Sequence, residues 1–361
     1  SKAKVKHPYN PDDVSLRLQH FRVFELVAMI EKANLLLNVR GNHQGVPPYF
    51  YSNDSNVRFW DDIKGSQFIE SLIIKLPIPF LYFDGSQKPW TTIDGIQRLR
   101  TIFGFVSDNF KLVNLEYLDD EFDGVYFSEL PEYIKHRFLN AELTGYVINP
   151  GTPLEIKYNI YRRLNTREER FNGQEIRNFF FQGIPFDFVS QLAEERVLSG
   201  FFPNRGQEGK LLRQEFVNRF LAFQLFDFRE YKGNMDLFLA ETLIQLDGMD
   251  ITSRNELASF FKLGLLRCKQ LVTSNLVMNY EMVTRNRDRL GLFIYEAIMW
   301  NVAELDDWQF DLILKKREDL TQLLLTNSDI IESLTTGADT KKAIHTRFGK
   351  LKELFIWLCN D

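Results

Sequence analysis

Hydrophobic and polar residues along the first half of the chain switch between helical and strand spacing. Apolar side chains recur at helical intervals from Phe24 to Ile30 and again over residues 59–76, where Pro77 and Pro79 end the second helix. Three later segments also predict helices: LPEYIKHRFLNA, TPLEIKYNIYRRLN and QEIRNFFFQ. The predicted strands are NLLLNV, PFLYF, WTTID, KLVNLEYL, GVYF and ELTGYVI. We interpret PFLYF and WTTID as the two strands of a hairpin.

Beyond about residue 185 the pattern becomes almost wholly helical. We therefore predict an α+β fold, with a small mixed sheet in a domain over residues 1–185 and an α-helical domain over residues 186–361. No stretch rich in Pro, Gly and Ser separates the two parts, so we expect the helical domain to pack on the first.

Composition narrows the classes of function. The net charge of -5 over 361 residues leaves no excess of Lys and Arg, which excludes non-specific nucleic-acid binding by overall charge. Cys268 and Cys359 fit no metal-ligand spacing, and so few thiols are typical of a reducing cytosol. No apolar run has the length of a bilayer span. We expect a soluble, cytoplasmic protein with no membrane partner.

The segment WTTIDGIQRLRTIFGF, residues 90–105, predicts a strand, a glycine and then a helix. With Asp94 as the N-cap, Gln97 takes the third helical position, and the two form a capping box. This interpretation leaves Gly95 and Arg98 unexplained. A glycine at a helix start lets a ligand approach the backbone, and an arginine there is unfavourable unless an anion is close.

The helical spacing of this segment also assigns its faces. Leu99, Ile102, Phe103 and Val106 form the predicted buried stripe, and the residues expected on the opposite, open side are Gln97, Arg98 and Thr101. A strand, a glycine turn and a helix start with a projecting arginine are the elements of a phosphate-binding site, which we call the phosphate cradle. An ordinary surface helix gives the same pattern, so both interpretations stay open here.

Three blocks of the chain together resemble a known family. They are FIESLIIKLPIPFLYF at 68–83, WTTIDGIQRLRTIFGF at 90–105 and IYRRLNTREERFNGQEIRN at 160–178. In order and spacing they are similar to the N-terminal domain of GmrSD-type restriction endonucleases, the DUF262 domain, which is itself similar to ParB and sulfiredoxin. The resemblance covers about the first half of the chain and implies a ParB/sulfiredoxin-like fold.

The resemblance implies nucleotide binding or hydrolysis at the family's Asp-Gly-Gln-Gln-Arg motif. That motif reads Asp94, Gly95, Ile96, Gln97, Arg98 in this chain, so Ile96 replaces the first glutamine. The family's Phe-Gln-Arg stretch before the tryptophan is also missing, because NDSNVRFW keeps the tryptophan with a single arginine nearby. These departures bear on turnover more than on binding.

The third block of the resemblance adds Arg163 and Asn165 to the expected nucleotide-binding residues. It also contains Asn172, Gln174 and Arg177. Helix capping or a solvent-exposed charge accounts for these three residues as well as nucleotide binding does. Thr101 completes the expected set through its place on the open side of the motif helix.

The leading hypothesis is a nucleotide-binding protein that acts as a sensor or regulatory component of a DNA restriction or anti-phage system. Arg98 and the N–H groups of the helix start would hold the phosphates of a nucleoside triphosphate, Gln97 would orient water, and Asp94 would act as a base or as a Mg²⁺ ligand. These three residues are the candidate catalytic set for an NTPase. No metal site made of protein ligands alone is expected.

Two alternatives remain open. In the first, a non-catalytic module would bind the phosphates of a DNA or RNA backbone at the same phosphate cradle. The arginines at positions 162, 163, 167, 170 and 177 would make additional contacts. A ParB-like phosphodiesterase is the other. Some relatives carry an HNH nuclease, whose metal site needs paired histidines, but the five histidines here are isolated in sequence. We therefore expect no autonomous nuclease, and expect any cleavage to lie in a separate nuclease or other defence subunit.

Overall fold

The computed structural model of the chain describes residues 14–37, 60–118, 120–164, 172–181, 183–202, 206–272 and 287–360. The chain forms two compact units, one over Tyr9–Phe171 and one that contains Asn172–Asp361. The first carries a small mixed sheet with helices, and the described part of the second is helical. The predicted combination of a mixed α/β part followed by a mostly helical part is confirmed.

The sheet of the first unit has five strands in the order β1-β5-β3-β4-β2. Their bounds are β1 Leu16–Arg22, β2 Leu35–Leu36, β3 Leu81–Asp84, β4 Trp90–Asp94 and β5 Glu142–Ile148. The predicted hairpin is confirmed, since β3 pairs antiparallel with β4. β3 also pairs in parallel with β5, which comes from a distant part of the chain, and β5 pairs antiparallel with β1.

Helices cover one face of this sheet. They are α1 Val23–Glu31, α2 Asp62–Ile73, α3 Ile96–Val106 and α4 Glu132–Leu139. The core between helices and sheet contains Leu26, Leu99 and Phe105 from the helices and Phe83 and Val147 from the strands, all fully buried. A fifth helix, α5 Leu154–Leu164, contacts β4.

Two predicted strands are wrong. Residues 111–118 and 124–127 form loops and a short 3₁₀ turn at Phe127–Glu129. For residues 111–118 the reason lies in the buried Glu70 of α2, whose carboxylate accepts hydrogen bonds of 2.7–3.1 Å from the main-chain N–H groups of residues 116, 117 and 118. N–H groups bound to a carboxylate cannot donate to a neighbouring strand.

The sequence pattern did not predict strand β1, because its leucines lie on the exposed face and not on the buried one. Leu16 and Leu18 are exposed, while Phe21 is buried at the strand end, so the alternation does not indicate one buried face. The strand is held by its complete pairing with β5, from Leu16 opposite Ile148 to Arg22 opposite Glu142.

The second unit is built from helices over its described residues. They are α6 Gly173–Phe180, α7 Ile184–Ala193, α8 Leu198–Phe201, α9 Gln207–Leu225, α10 Met235–Asp247, α11 Ile251–Leu271, α12 Arg287–Ala303, α13 Asp307–Lys315, α14 Arg317–Thr326, α15 Ser328–Thr335 and α16 Lys341–Asn360. Aromatic rings fill its core. Phe223 and Phe348, for example, lie 4.4 Å apart between ring centroids.

The buried polar groups of this unit form a charged network. Glu296 in α12 is fully buried and accepts from Arg219 in α9 and from Arg347 in α16, the latter at 2.6 Å. Arg219 also donates to Asp339 at 2.7 Å. The network joins three helices far apart in sequence, and its opposite charges offset the cost of burying each one.

The compact units divide at residues 171–172, before the expected boundary near residue 185. Helix α6 belongs with the second unit because it packs on α9, and because its buried Arg177 pairs with Asp236 of α10 at 2.8 Å. The predicted capping box at the start of α6 is confirmed, with Asn172 and Glu175 as its two members.

Candidate functional site

The candidate site lies where β4 becomes α3. Asp94 is the last residue of β4 and pairs with Tyr82 of β3, so it is still in the strand. Gly95 is the N-cap, with a φ of 99° in the left-handed region. The expected capping box between Asp94 and Gln97 is therefore wrong, because the helix begins one residue later than that interpretation requires.

Two features require glycine at position 95. A side chain is strained at this φ, and a Cβ would overlap Cδ2 of the fully buried Leu81. The expected reason for the glycine was a ligand that approaches the backbone. The turn conformation and the packing of Leu81 already account for it.

Arg98 does not project from α3 as expected. Its side chain is only 9% exposed, and Nη2 donates to Asp94 Oδ2 at 3.0 Å. The guanidinium also donates to the main-chain carbonyls of Pro79 and Phe80, just before β3. The prediction of an outward arginine is wrong because these acceptors enclose the residue. Arg98 ties the carboxylate of Asp94 to the chain that enters β3.

The other polar residues of the motif helix are buried or partly buried. Gln97 is buried at 7% exposure, which corrects its expected place on the open side. Thr101 is partly exposed, and its methyl group faces Gly65 of α2. Arg100 is directed to the carbonyl of Leu37, at 3.4 Å. The apolar stripe was correct, but α3 contacts both α1 and α2, so it has less open surface than a one-sided helix.

Asp94 is the motif residue with the most accessible functional group. Its side chain is 44% exposed, in contrast to that of its partner Arg98. A carboxylate held at 3.0 Å by a buried guanidinium has a defined orientation and keeps a solvent-facing side. Such a group can accept a proton, bind a cation or accept a hydrogen bond from a ligand.

Aromatic residues that the sequence analysis did not select lie beside Asp94. The rings of Tyr82 and Tyr146 are stacked, with centroids 5.5 Å apart and an interplanar angle of 19°. Phe80 meets Tyr146 edge to face at 5.5 Å and is 45% exposed. Burial raises the pKa of Tyr82, with further contributions from Tyr146 and Asp94.

The only local signal for these aromatics is their place on the outward side of their strands. In β3 and β5 the buried positions alternate with Tyr82 and with Tyr146, respectively. That the two tyrosines meet depends on the parallel pairing of β3 with β5, which residue spacing does not reveal.

The residues taken from the third block of the resemblance belong to two different compact units or lie outside the described residues. Arg163 is an exposed residue in the last turn of α5, in the first unit. Asn165 lies outside the described residues. Gln174 and Arg177 are in the second unit and are both buried, with Arg177 Nε donating to Gln174 Oε1 at 3.0 Å. Arg177 is thus not a surface contact for a nucleic acid, which corrects that part of the alternative hypothesis.

Asp94, Gly95 and Arg98 are therefore brought together, with Gln97 in the same helical turn. No group of three or more His, Cys, Asp and Glu side chains placed to hold a metal ion occurs within the described residues. Over the same residues, no helix combines the length and apolarity of a membrane span. No protein-family model, curated protein or solved structure matches the chain.

Proposed function

We propose that the chain binds a nucleoside triphosphate at the junction of β4 and α3. Its first unit would be a GmrSD N-terminal-type, ParB/sulfiredoxin-like domain. The protein would be a cytoplasmic sensor or regulatory component of a DNA restriction or anti-phage system, with the nuclease in a separate subunit. The sequence blocks support the family, and the half-exposed Asp94 carboxylate fixed by Arg98 supports the position of the site.

The roles of the motif residues follow from their burial. Asp94 is the accessible acid and would act as a general base or as a Mg²⁺ ligand. Arg98 would be a positioning residue that holds this carboxylate. The phosphates would lie at the start of α3, where the N–H groups and the positive end of the helix dipole stabilise anions. Gln97, which is buried, would contribute from the first helical turn.

Magnesium at a nucleotide site is held by one or two carboxylates together with the substrate phosphates. The accessible carboxylate of Asp94 fits that arrangement, and the described residues hold no cluster of three or more His, Cys, Asp and Glu side chains that would form a cage by itself. Magnesium would supply positive charge that offsets both the carboxylate and the phosphates.

The test is calorimetric titration with the four ribonucleoside triphosphates, with and without Mg²⁺, followed by an assay of phosphate release. We expect saturable binding of at least one triphosphate that Asp94→Asn weakens about tenfold or more. Asp123→Asn, at an exposed acid of the same unit, is the matched control and should bind like the wild type. Absence of triphosphate binding, or full binding by Asp94→Asn, would contradict the proposal.

The nucleic-acid alternative has less support. Of its five arginines, Arg177 is buried and ion-paired, and Arg162 and Arg163 are the ones described in the first unit. Saturable binding of DNA or RNA without any effect of nucleotide would favour that alternative over the triphosphate site.

A further inference from the structure

The sheet face opposite the core carries an aromatic cluster next to the candidate nucleotide site. Tyr82 stacks on Tyr146, and Phe80 and Tyr146 meet edge to face. Leu18, which is opposite Tyr146 in the pairing of β1 with β5, is 52% exposed and extends the apolar surface. Phe80 and Leu18 are exposed while Tyr82 and Tyr146 are partly buried, and apolar patches that reach the surface are a feature of binding sites.

The strand order places Tyr82 between Tyr146 and Asp94. Tyr82 in β3 is in register with Tyr146 in β5 on one side and with Asp94 in β4 on the other. Neighbouring strands lie about 4.8 Å apart, so ring stacking with Tyr146 occupies the β5 side of Tyr82. Asp94, the last residue of β4, and the start of α3 lie on the other side of Tyr82.

We propose that Tyr82, backed by Tyr146, stacks the base of the bound nucleotide while the phosphates lie at the start of α3. This inference rests on the proposed function and specifies which part of the ligand the neighbouring strand contacts. Aromatic side chains stack on the π-face that every base offers, so stacking alone discriminates weakly among bases. Purines, with the larger ring system, should bind more tightly than pyrimidines.

The stack also explains why two tyrosines lie side by side at this place. Cross-strand aromatic pairs stabilise a sheet wherever they occur, and Tyr146 supports Tyr82 in that way. A stacked backing ring keeps Tyr82 in one orientation, which lowers the entropic cost of stacking a ligand on its other face. The arrangement is therefore suited to a flat, rigid ligand.

The test compares each ribonucleoside triphosphate with inorganic tripolyphosphate by calorimetry, in the wild type and in three variants. We expect the best triphosphate to bind the wild type at least tenfold more tightly than tripolyphosphate. Tyr82→Leu should lower triphosphate affinity about tenfold, equivalent to about 1.4 kcal/mol, and leave tripolyphosphate affinity unchanged. Tyr82→Phe keeps the ring and should bind like the wild type, as should Tyr133→Leu at an exposed tyrosine of α4.

Two outcomes separate this inference from the proposed function. If the wild type binds tripolyphosphate as tightly as every nucleotide, or if folded Tyr82→Leu keeps full nucleotide affinity, the stacking role is wrong and the phosphate site stands. If the wild type binds neither ligand, the proposed function fails and the inference fails with it. The wild-type comparison needs no variant, so it decides the matter even if Tyr82→Leu does not fold.

Discussion

Arg98 donates hydrogen bonds to a carboxylate and to main-chain carbonyls, and these contacts change the expected effect of Arg98→Ala on the stability of the fold. The sequence pattern alone predicts that Arg98→Ala is neutral or slightly stabilising in the free protein, because a cation near a helix start is unfavourable. The structure predicts the opposite, because the variant leaves the carbonyls of Pro79 and Phe80 and the carboxylate of Asp94 without this donor. A hydrogen bond to a charged group contributes about 1.5–3 kcal/mol.

We therefore expect Arg98→Ala to lower the free energy of unfolding by about 2 kcal/mol in urea denaturation. Arg137→Ala, at an exposed arginine of α4, is the control and should change it by less than about 0.5 kcal/mol. Equal stability of Arg98→Ala and wild type would mean that the buried contacts of Arg98 contribute nothing net.

The two glycines of the β4–α3 segment should respond in opposite directions to the same substitution. Gly95→Ala should destabilise the fold by about 1–2 kcal/mol, because an alanine is strained in the left-handed region and its Cβ would meet Leu81. Gly104→Ala should stabilise it by up to about 1 kcal/mol, because the residue is inside α3 and a Cβ there has its nearest neighbour at 3.9 Å. Thermal melts of both variants check the pair, and a stabilising Gly95→Ala would refute the assigned turn.

At the scale of elements, the sequence predicted those helices and strands that residues close together in the chain determine. The β3–β4 hairpin, α3 and α5 follow from apolar spacing, prolines and turn residues close in sequence. That Asp94 lies close to Arg98 was also predictable, since the two residues are close in sequence, at the junction of β4 with α3. The direction of Arg98 was not, because its acceptors at residues 79–80 are brought there by the tertiary fold.

The loop over residues 113–118 shows the limit of apolar patterns most clearly. Its spacing favours a strand, but Glu70 binds its N–H groups instead. Glu70→Gln keeps the shape of the side chain and puts an NH₂ group or a neutral oxygen where a carboxylate accepted hydrogen bonds. We expect a loss of about 2 kcal/mol in unfolding free energy and faster amide exchange at residues 116–118.

Glu132→Gln is the control for this change. It removes the charge from an exposed glutamate of α4 that pairs with Lys135, and surface pairs contribute little. Wild-type exchange rates at residues 116–118 in Glu70→Gln would show that the loop is held by other contacts.

At the scale of the whole molecule, the second unit depends on charges that no single segment reveals. Glu296, Arg219 and Arg347 come from three helices and are fully buried. Glu296→Gln leaves two guanidinium groups with a neutral partner, and breaking a buried pair costs about 3–5 kcal/mol. We expect a large fall in the melting temperature. Glu332→Gln, at an exposed ion pair with Lys342, should leave it nearly unchanged.

The central claim is that a nucleoside triphosphate binds where β4 meets α3. Hydrogen exchange of the wild-type chain, followed by mass spectrometry with and without saturating nucleotide and Mg²⁺, tests it most directly. The account predicts slower exchange in peptides that cover residues 80–84 and 90–100, because the ligand would lie on β3 and at the start of α3. Unchanged exchange in these peptides, with slower exchange confined to residues 172–360, would contradict it.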